Sequence, residues 1–345
     1  MFVRGVVGGA VLPWLGCGAS DAKDKRDAGL SPGIDCPPFL TPVDEFFVQL
    51  GGSRTVDGWQ MPELDADAGI EIGGLVEQRM TLRLSDLEAD VDNHITVLNT
   101  LMCVLGSRGT ALWTGVPLRS VLDRAGIDRT RGRRVIFSGA DGFQNNLKLD
   151  DIYASPEDIF EPLLVFRMGG ERLRRELGFP VRLLLNDRFG FKNTKWLTSI
   201  QVSERDEPIG QYQDRGYPDD GVIKQVPIVE SHKVTQDVPA GVIELCGFAL
   251  SGHAAIDRVQ VSLDGGTFED AALTPLDDLL KVHPQLREAA QLDAPARYGF
   301  PLRGVWSAWQ HTLALDAGEH TVDVRVFDTG GNQGDATTLH LTAIG

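Results

Sequence analysis

The stretch LNTLMCVLGSRGTALWTGVPLRSVLDRAG, residues 98–126, decides how the rest of the chain is read. Together with the preceding ITV it opens as a short, nearly continuous apolar run, the pattern of a strand buried on both faces. Gly106, Ser107 and Gly109 break that run, and PLRSVLDRAG (117–126) then spaces its apolar residues as a helix and ends on glycine. Cys103 falls where the strand gives way to the loop. On composition alone, a cysteine there is a small buried hydrophobe.

Outward from this segment, residues 39–225 mix short strands and helices. VIFSGAD (135–141) is a strand entering a turn, and LRLSDLEAD (82–90) is a strand end running into a helix capped by Ser85, with Glu88 in capping-box register. This is an α+β domain. From residue 226 the period changes to that of alternating strands at regular spacing, among them VIELCGFAL, IDRVQVSLDGG, WSAWQHTLAL, HTVDVRVFD and TLHLTAI, which predicts an antiparallel sandwich over 226–345. Trp306 and Trp309 read as sandwich core. Residues 275–300 interrupt the strands with a polar helical insert, either a loop excursion or an interface element.

The chain has 345 residues, 42% of them hydrophobic, enough for two domains with separate cores. Its net charge of −16 disfavours a nucleic-acid partner and repels a small anion unless some region reverses the sign. Residues 161–200 do so: Arg167, Arg172, Arg174, Arg175, Arg182, Arg188, Lys192 and Lys195 oppose Glu161, Glu171, Glu176 and Asp187, a local balance of +4. Arg172 to Arg175 read as a solvated helix face. Arg182 lies inside the apolar run FPVRLLL, where an unpaired guanidinium is costly, and this points to a buried anionic partner.

No run of about 20 apolar residues is present, so a spanning helix is not expected. Residues 1–38 read as an export signal and flexible tether. Arg4 precedes GVVGGAVLPWLGC, and Cys17 is either a lipidation site or part of an ordinary export signal, since Trp14 stands where lipoprotein signals carry Leu. Cys17, Cys36, Cys103 and Cys246 show no CxxC spacing, so no disulfide framework or metal finger is implied. Nucleophile elbows, phosphate-binding glycine loops and zinc-type histidine pairs are missing.

Three segments resemble the sulfite oxidase family of molybdenum-pterin oxidoreductases. In 98–126, Cys103 matches the family's thiolate ligand to the metal and WTGVPLR its following helix start; the ten-residue spacing to Trp113 is similar to that of the bacterial stand-alone members. In ELGFPVRLLLNDRFGFKNTKWLTSIQVS (176–203), Arg182 and Lys195 match the residues that hold the pterin and its phosphate, with Asn193 and Thr194 beside them. In FSGADGF (137–143), Asp141 stands at a pterin-contacting acid, although a DG turn explains it equally well. The strands after 226 resemble the family's immunoglobulin-like dimerisation domain.

The resemblance implies a sulfite-oxidase-type mixed α/β molybdopterin-binding domain followed by an all-β immunoglobulin-like sandwich. It also implies a molybdenum-molybdopterin cofactor, no haem in this chain, and oxo transfer that interconverts Mo(VI) and Mo(IV). Sulfite is the default substrate, a c-type cytochrome the external electron carrier, and the chain a homodimer. The opening FVRGVVGG resembles the second half of a twin-arginine signal, with the start codon placed too late, for a periplasmic or cell-envelope protein. Several substrate-side positions depart from the family pattern. After FFV, Gln49, Leu50 and Gly51 replace an arginine and a nearby histidine; Leu177 replaces a histidine, and Phe143 a frequent tyrosine. Arg108, in the loop after Cys103, is the substitute anion contact within the chain, or else a solvated charge. Two alternatives to sulfite oxidation stay open: reduction of an S-oxide or N-oxide on the same cofactor, and a degenerate, non-catalytic binding protein of the same fold.

Overall fold

The computed structural model describes residues 36–49 and 60–345. Cys17 and its flanking signal-like residues, and Leu50 and Gly51, lie outside the described residues. The mixed α/β part is built on two five-stranded sheets. In the first, the strand Ile70–Gly74 pairs parallel with Leu197–Ser203, which pairs antiparallel with Arg134–Gly139, while Met80–Leu82 and Gln144–Lys148 form the edges. The second sheet runs Ile95–Met102, Arg108–Pro117, Leu163–Met168, Glu171–Arg172, with Arg182–Leu184 also paired to Leu163–Met168.

Ile95–Met102 and Arg108–Pro117 are buried along most of their length, as their largely apolar sequences favour. The helix Leu118–Arg124 follows directly and places Leu118, Val121 and Leu122 in the larger core, against Phe137, Phe166 and Ile200. One capping expectation is corrected. The short helix is Leu84–Ala89, so Ser85 is inside it; Asp86 accepts from the Arg83 amide at 2.7 Å, while Glu88 is drawn away to Arg172 and Arg167. Arg172 to Arg175 fall on a two-residue strand and the start of a 3-10 turn rather than on a helix face.

Two further sheets face each other across a core of Val259, Val261, Trp309, Val322, Val324, Leu339 and Leu341. Their strands include Gly241–Leu250 and Ser307–Leu315 in one, Ile256–Leu263, Gly318–Asp328 and Thr337–Ile344 in the other. In Thr337–Ile344, buried and exposed residues alternate from Leu339 onward, the signature of a half-solvated sheet face. The architecture is the expected α+β part followed by a β-sandwich.

Trp306 departs from the expectation. It stacks on Phe248 at 3.9 Å, donates to the Phe39 carbonyl at 2.9 Å, and belongs to a cluster with Leu98, Met102 and Leu112 that joins the sandwich to the second sheet. The insert expected at 275–300 lies on the same junction. It forms the short helices Leu276–Val282, Ala290–Asp293 and Pro295–Tyr298, and buried Gln291 bonds both the amide and the carbonyl of Leu98, at 2.9 and 2.7 Å. One side chain thereby satisfies a strand-edge peptide that would otherwise be buried without partners.

The cysteine expectation is corrected as well. Cys36 and Cys246 form a disulfide with a Cα–Cα distance of 6.3 Å, across a separation of 210 residues. Such a pair brings no local spacing signal, because the fold rather than the sequence places its members together.

Candidate functional site

Cys103 ends the strand Ile95–Met102 and enters a tight turn. Its amide donates to the Ser107 carbonyl at 2.7 Å, its carbonyl accepts from Gly106 at 2.9 Å, and the Leu105 amide points at its Sγ at 3.5 Å. Gly106 has φ +95°, a backbone a side chain would strain. The turn fixes a buried, free thiol at the wall of a cavity of about 710 Å³, measured with its open mouth.

Arg182, Lys195, Asn193 and Asp141 line the same cavity. Arg182 is 5% exposed and donates to the carbonyls of Leu177 at 2.9 Å and Asn193 at 3.2 Å. Its Nε has no partner, and no carboxylate pairs with it among the described residues. Burial pushes its guanidinium down to about 9, still charged at neutral pH. A buried cation with an unused donor is expensive unless an anion joins it. Lys195 donates to the carbonyls of Gln49 and Glu176 at 2.8 and 2.9 Å, with its Nζ 4.3 Å from the centre of the Trp196 ring. Gly178 brings the two cations together: at φ +110°, an added Cβ would sit 3.1 Å from both the Arg182 and the Lys195 side chains.

Asp141 serves two purposes at once. Its Oδ1 accepts from the Phe143 amide at 3.1 Å, closing the turn between the strands Arg134–Gly139 and Gln144–Lys148, and it also lines the cavity. Burial raises its carboxyl above the ordinary range, against the turn amides and Lys195. Asn193 spends its side chain on the Leu185 amide and the Phe189 carbonyl, so what it offers the cavity is position rather than free donors. Thr194 is buried with an unpartnered Oγ1 next to Asn193 and Lys195 but does not line the cavity.

Arg108, like Thr194, stands outside the cavity wall, and it is also neutralised. Its guanidinium is bound to Glu230 and to the Gly106 carbonyl, and it does not line the cavity. The carboxylate that claims it comes from 122 residues along the chain and neutralises it as an anion contact. Gln49, Leu177 and Phe143, the three departures that fall on described residues, all stand in the cavity wall. Most of the remaining wall was not anticipated: Phe46, Phe47, Leu101, Val104, Phe191, Trp196 and Tyr212 make it largely apolar and aromatic. The paired aromatics of EFFV and the KW dipeptide carried that signal; Tyr212, in a polar loop, carried none.

Residues 59–210 match the oxidoreductase molybdopterin binding domain. The uncharacterized oxidoreductase YuiH of Bacillus subtilis is 32% identical over 149 residues, which are 43% of this chain and 71% of YuiH. The chain belongs to the sulfite oxidase family. Mitochondrial sulfite oxidase of Rattus norvegicus is 29% identical over 279 residues, 68% of this chain, and the match spans about half, 49%, of the rat protein. The sulfane dehydrogenase SoxCD of Paracoccus pantotrophus shares the fold, with a TM-score of 0.67 at 20% identity over 87% of this chain and 75% of that one. As a family member the chain carries an oxidoreductase molybdopterin binding domain over residues 59–210.

The cavity fits that cofactor chemically. Its buried, unpaired guanidinium suits a phosphate, and its free thiol is the soft donor that molybdenum takes beside the two sulfurs of a pterin dithiolene. No group of three or more His, Cys, Asp or Glu that could hold a metal ion exists among the described residues, and Cys103 is the one thiol in the described cavity wall.

Proposed function

We propose that the chain oxidises a small sulfur oxyanion, sulfite by default, at a molybdenum-pterin centre ligated by Cys103, and passes electrons to an external carrier. The observation that carries this reading is the meeting of Cys103 and the anion-seeking Arg182 in one cavity. When bound, the cofactor supplies oxygen-atom transfer and two-electron chemistry. The protein's own residues do the rest. Arg182, with Lys195 beside it, would hold the pterin phosphate; Asn193 braces the stretch between them through Leu185 and Phe189; Asp141 would fix the turn against the pterin; Cys103 would hold the metal side. The largely apolar, aromatic wall would limit water around the reacting group.

A second reading, reduction of an S-oxide or N-oxide on the same cofactor, is favoured by one observation: Gln49, Phe143 and Leu177 leave the cavity wall without the added cation that a sulfite dianion would draw on. The loss of a buried cation costs an anion roughly 2–5 kcal/mol of binding.

Export to an oxidising compartment is supported by the Cys36–Cys246 disulfide, since such bonds persist where thiols are not kept reduced. The −16 net charge suits a basic c-type cytochrome as carrier. Lipid on Cys17 and pairing of two copies through the sandwich belong to the same proposal.

The test is the molybdenum and pterin content of protein from a molybdenum-replete host, followed by turnover with sulfite and an oxidised acceptor, or with an S-oxide and a reduced dye. About one molybdenum per chain with sulfite turnover supports the first reading, and turnover only with reduced dye supports the second. Well-folded protein free of molybdenum means a cofactor-less binding protein. Cys103→Ser is expected to abolish either turnover while leaving thermal stability nearly unchanged, and a fully active serine variant rules out both enzymatic readings.

A further inference from the structure

Residues 185–193 form a loop that touches both halves of the cavity. Gly190 packs beside Cys103, where an added Cβ would sit 3.4 Å from the Met102 carbonyl, and at the far end the Asn193 carbonyl accepts from Arg182 at 3.2 Å. Gly190, Phe191 and Asn193 line the cavity themselves. The Leu185 amide donates to the Asn193 side chain at 2.7 Å and closes the neck of the loop. Where this loop rests therefore sets how the thiol stands relative to the buried guanidinium.

The loop is anchored from the sandwich side. Arg303, in the turn that leads into the strand Ser307–Leu315, reaches across the junction: its Nη2 donates to Asp187 Oδ2 at 2.8 Å, its Nη1 to Asp158 at 3.1 Å and its Nε to the Gly252 carbonyl at 2.9 Å. The Arg303 carbonyl accepts from the Asn186 side chain at 3.2 Å. Asp187 Oδ1 pairs with Arg188 at 3.0 Å, and the Asp187 carbonyl accepts from the Ile223 amide at 3.0 Å. The two sides meet closely, since Gly304 has φ +73° and a Cβ there would come within 2.6 Å of Asn186 Oδ1. The charged groups around Asp187 are Arg188 on its own loop, Arg303 from the sandwich side, Asp158, and Asp151 of the helix Leu149–Tyr153, which shares a shallow surface dimple with it.

A carboxylate in this place is costly. Asp187 is 2% exposed and has φ +57°, a backbone that glycine and short polar residues adopt most readily. Burial pushes its carboxyl up to about 6, although Arg188 and Arg303 pull it down. The native value thus lies above the ordinary 3.8, so this group's contribution to stability is complete below that value and is lost as pH rises through 6. At neutral pH the charge stands against folding, and what it supplies instead is an ion-paired anchor at the base of the loop.

We propose that Asp187, held by Arg303, is a positioning residue for the cavity: in its charged form it pins residues 185–193 to the sandwich and so fixes Cys103 relative to Arg182, and on taking up a proton it releases them. The assignment rests on the reading of this cavity as the oxo-transfer site.

The test is Asp187→Asn, which keeps the shape and suits the left-handed backbone. Urea denaturation of the cofactor-free variant near neutral pH should show it at least as stable as the wild type; a large loss overturns the assignment in favour of a scaffold role. Amide hydrogen exchange, corrected for intrinsic rates, is then followed in cofactor-free protein from pH 5 to pH 8. In the wild type the hydrogen-bonded amides of Phe189, Lys192 and Asn193 should lose about tenfold in protection as pH falls through 6, while the strand Thr337–Ile344 keeps its own. The variant should show the low protection throughout. In the holoenzyme, kcat per molybdenum should fall about tenfold in the variant at neutral pH with KM nearly unchanged, and the acid limb that the wild type shows near pH 6 should vanish. Arg303→Lys, which keeps the charge, should retain the limb, and Arg303→Gln should lose it. Loop protection that ignores pH, or an acid limb that survives in Asp187→Asn, overturns the assignment alone. A pH-dependent loop in wild-type protein that takes up no molybdenum overturns the reading of the cavity, and the positioning role falls with it.

Discussion

Arg182 in the cavity and Asp328 in the sandwich are both charged and almost fully buried, at 5% and 2% exposure, yet they are provided for in opposite ways. Asp328 is surrounded. Its oxygens accept from Gln225 at 2.7 Å, Ser251 at 3.0 Å, the Gly330 and Asn332 amides at 3.1 and 3.0 Å, and the Asn332 side chain. Burial alone would raise its carboxyl, but the bonds from Gln225, Asn332 and Ser251 outweigh burial and hold it below the usual range. Arg182 has two carbonyls, an idle Nε and no carboxylate among the described residues. A buried charge that is fully satisfied is part of the scaffold, whereas one left short of partners marks where something else binds. The sandwich also holds the unpartnered Ser307 Oγ and Trp309 Nε1, but those are neutral and cost far less.

The comparison breaks most sharply at Arg182. In Arg182→Met, pterin content of purified protein should fall by tens- to thousands-fold in binding terms, while urea denaturation of the cofactor-free protein shows equal stability or a gain of about 1 kcal/mol. A large loss of cofactor-free stability would show that Arg182 is scaffold after all. Asp328→Ala should do the reverse, lowering stability by roughly 2–4 kcal/mol and leaving molybdenum per folded chain unchanged. Gln291→Ala strips the buried Leu98 peptide of both partners and should cost about 1–2 kcal/mol in the same urea assay. The smallest effect is on pH. Because Asp328 is held below its unfolded value, its stabilisation is present above that value, near pH 4, and is lost as pH falls through the lower native one. Acid unfolding of Asp328→Asn should therefore be less steep in that window than that of the wild type.

Much of the site was legible because its chemistry requires unusual residues in apolar company. Arg182 within FPVRLLL stood out for that reason, whereas Cys103 reads as a small buried hydrophobe until the resemblance of its surrounding segment singles it out, and the structure brings both to one cavity. What was illegible depended on long-range placement. Arg108 reads as a free cation until Glu230, 122 residues away, arrives beside it. Cys36 and Cys246 have no shared spacing, and Tyr212 sits in the polar run PIGQYQDRGYPDD, where nothing local distinguishes a cavity residue from a solvated turn. The sandwich was the easier region, since alternation along a strand such as Thr337–Ile344 directly encodes which face is buried. Trp306 misled because a tryptophan next to a strand looks the same whether it fills the sandwich or stacks on Phe248 at the junction.

The disulfide also decides how the molecule would carry a mechanical load. Everything between Cys36 and Cys246, including the turn at Cys103, the strands around Arg182 and the loop with Tyr212, lies inside one covalent ring. A pull on the chain ahead of Cys36 passes through the sulfur bridge straight into the strand Gly241–Leu250, which is hydrogen-bonded along its length to Ser307–Leu315. If that leading segment ties the protein to a surface, the sandwich bears the tension and the cavity stands outside the line of force.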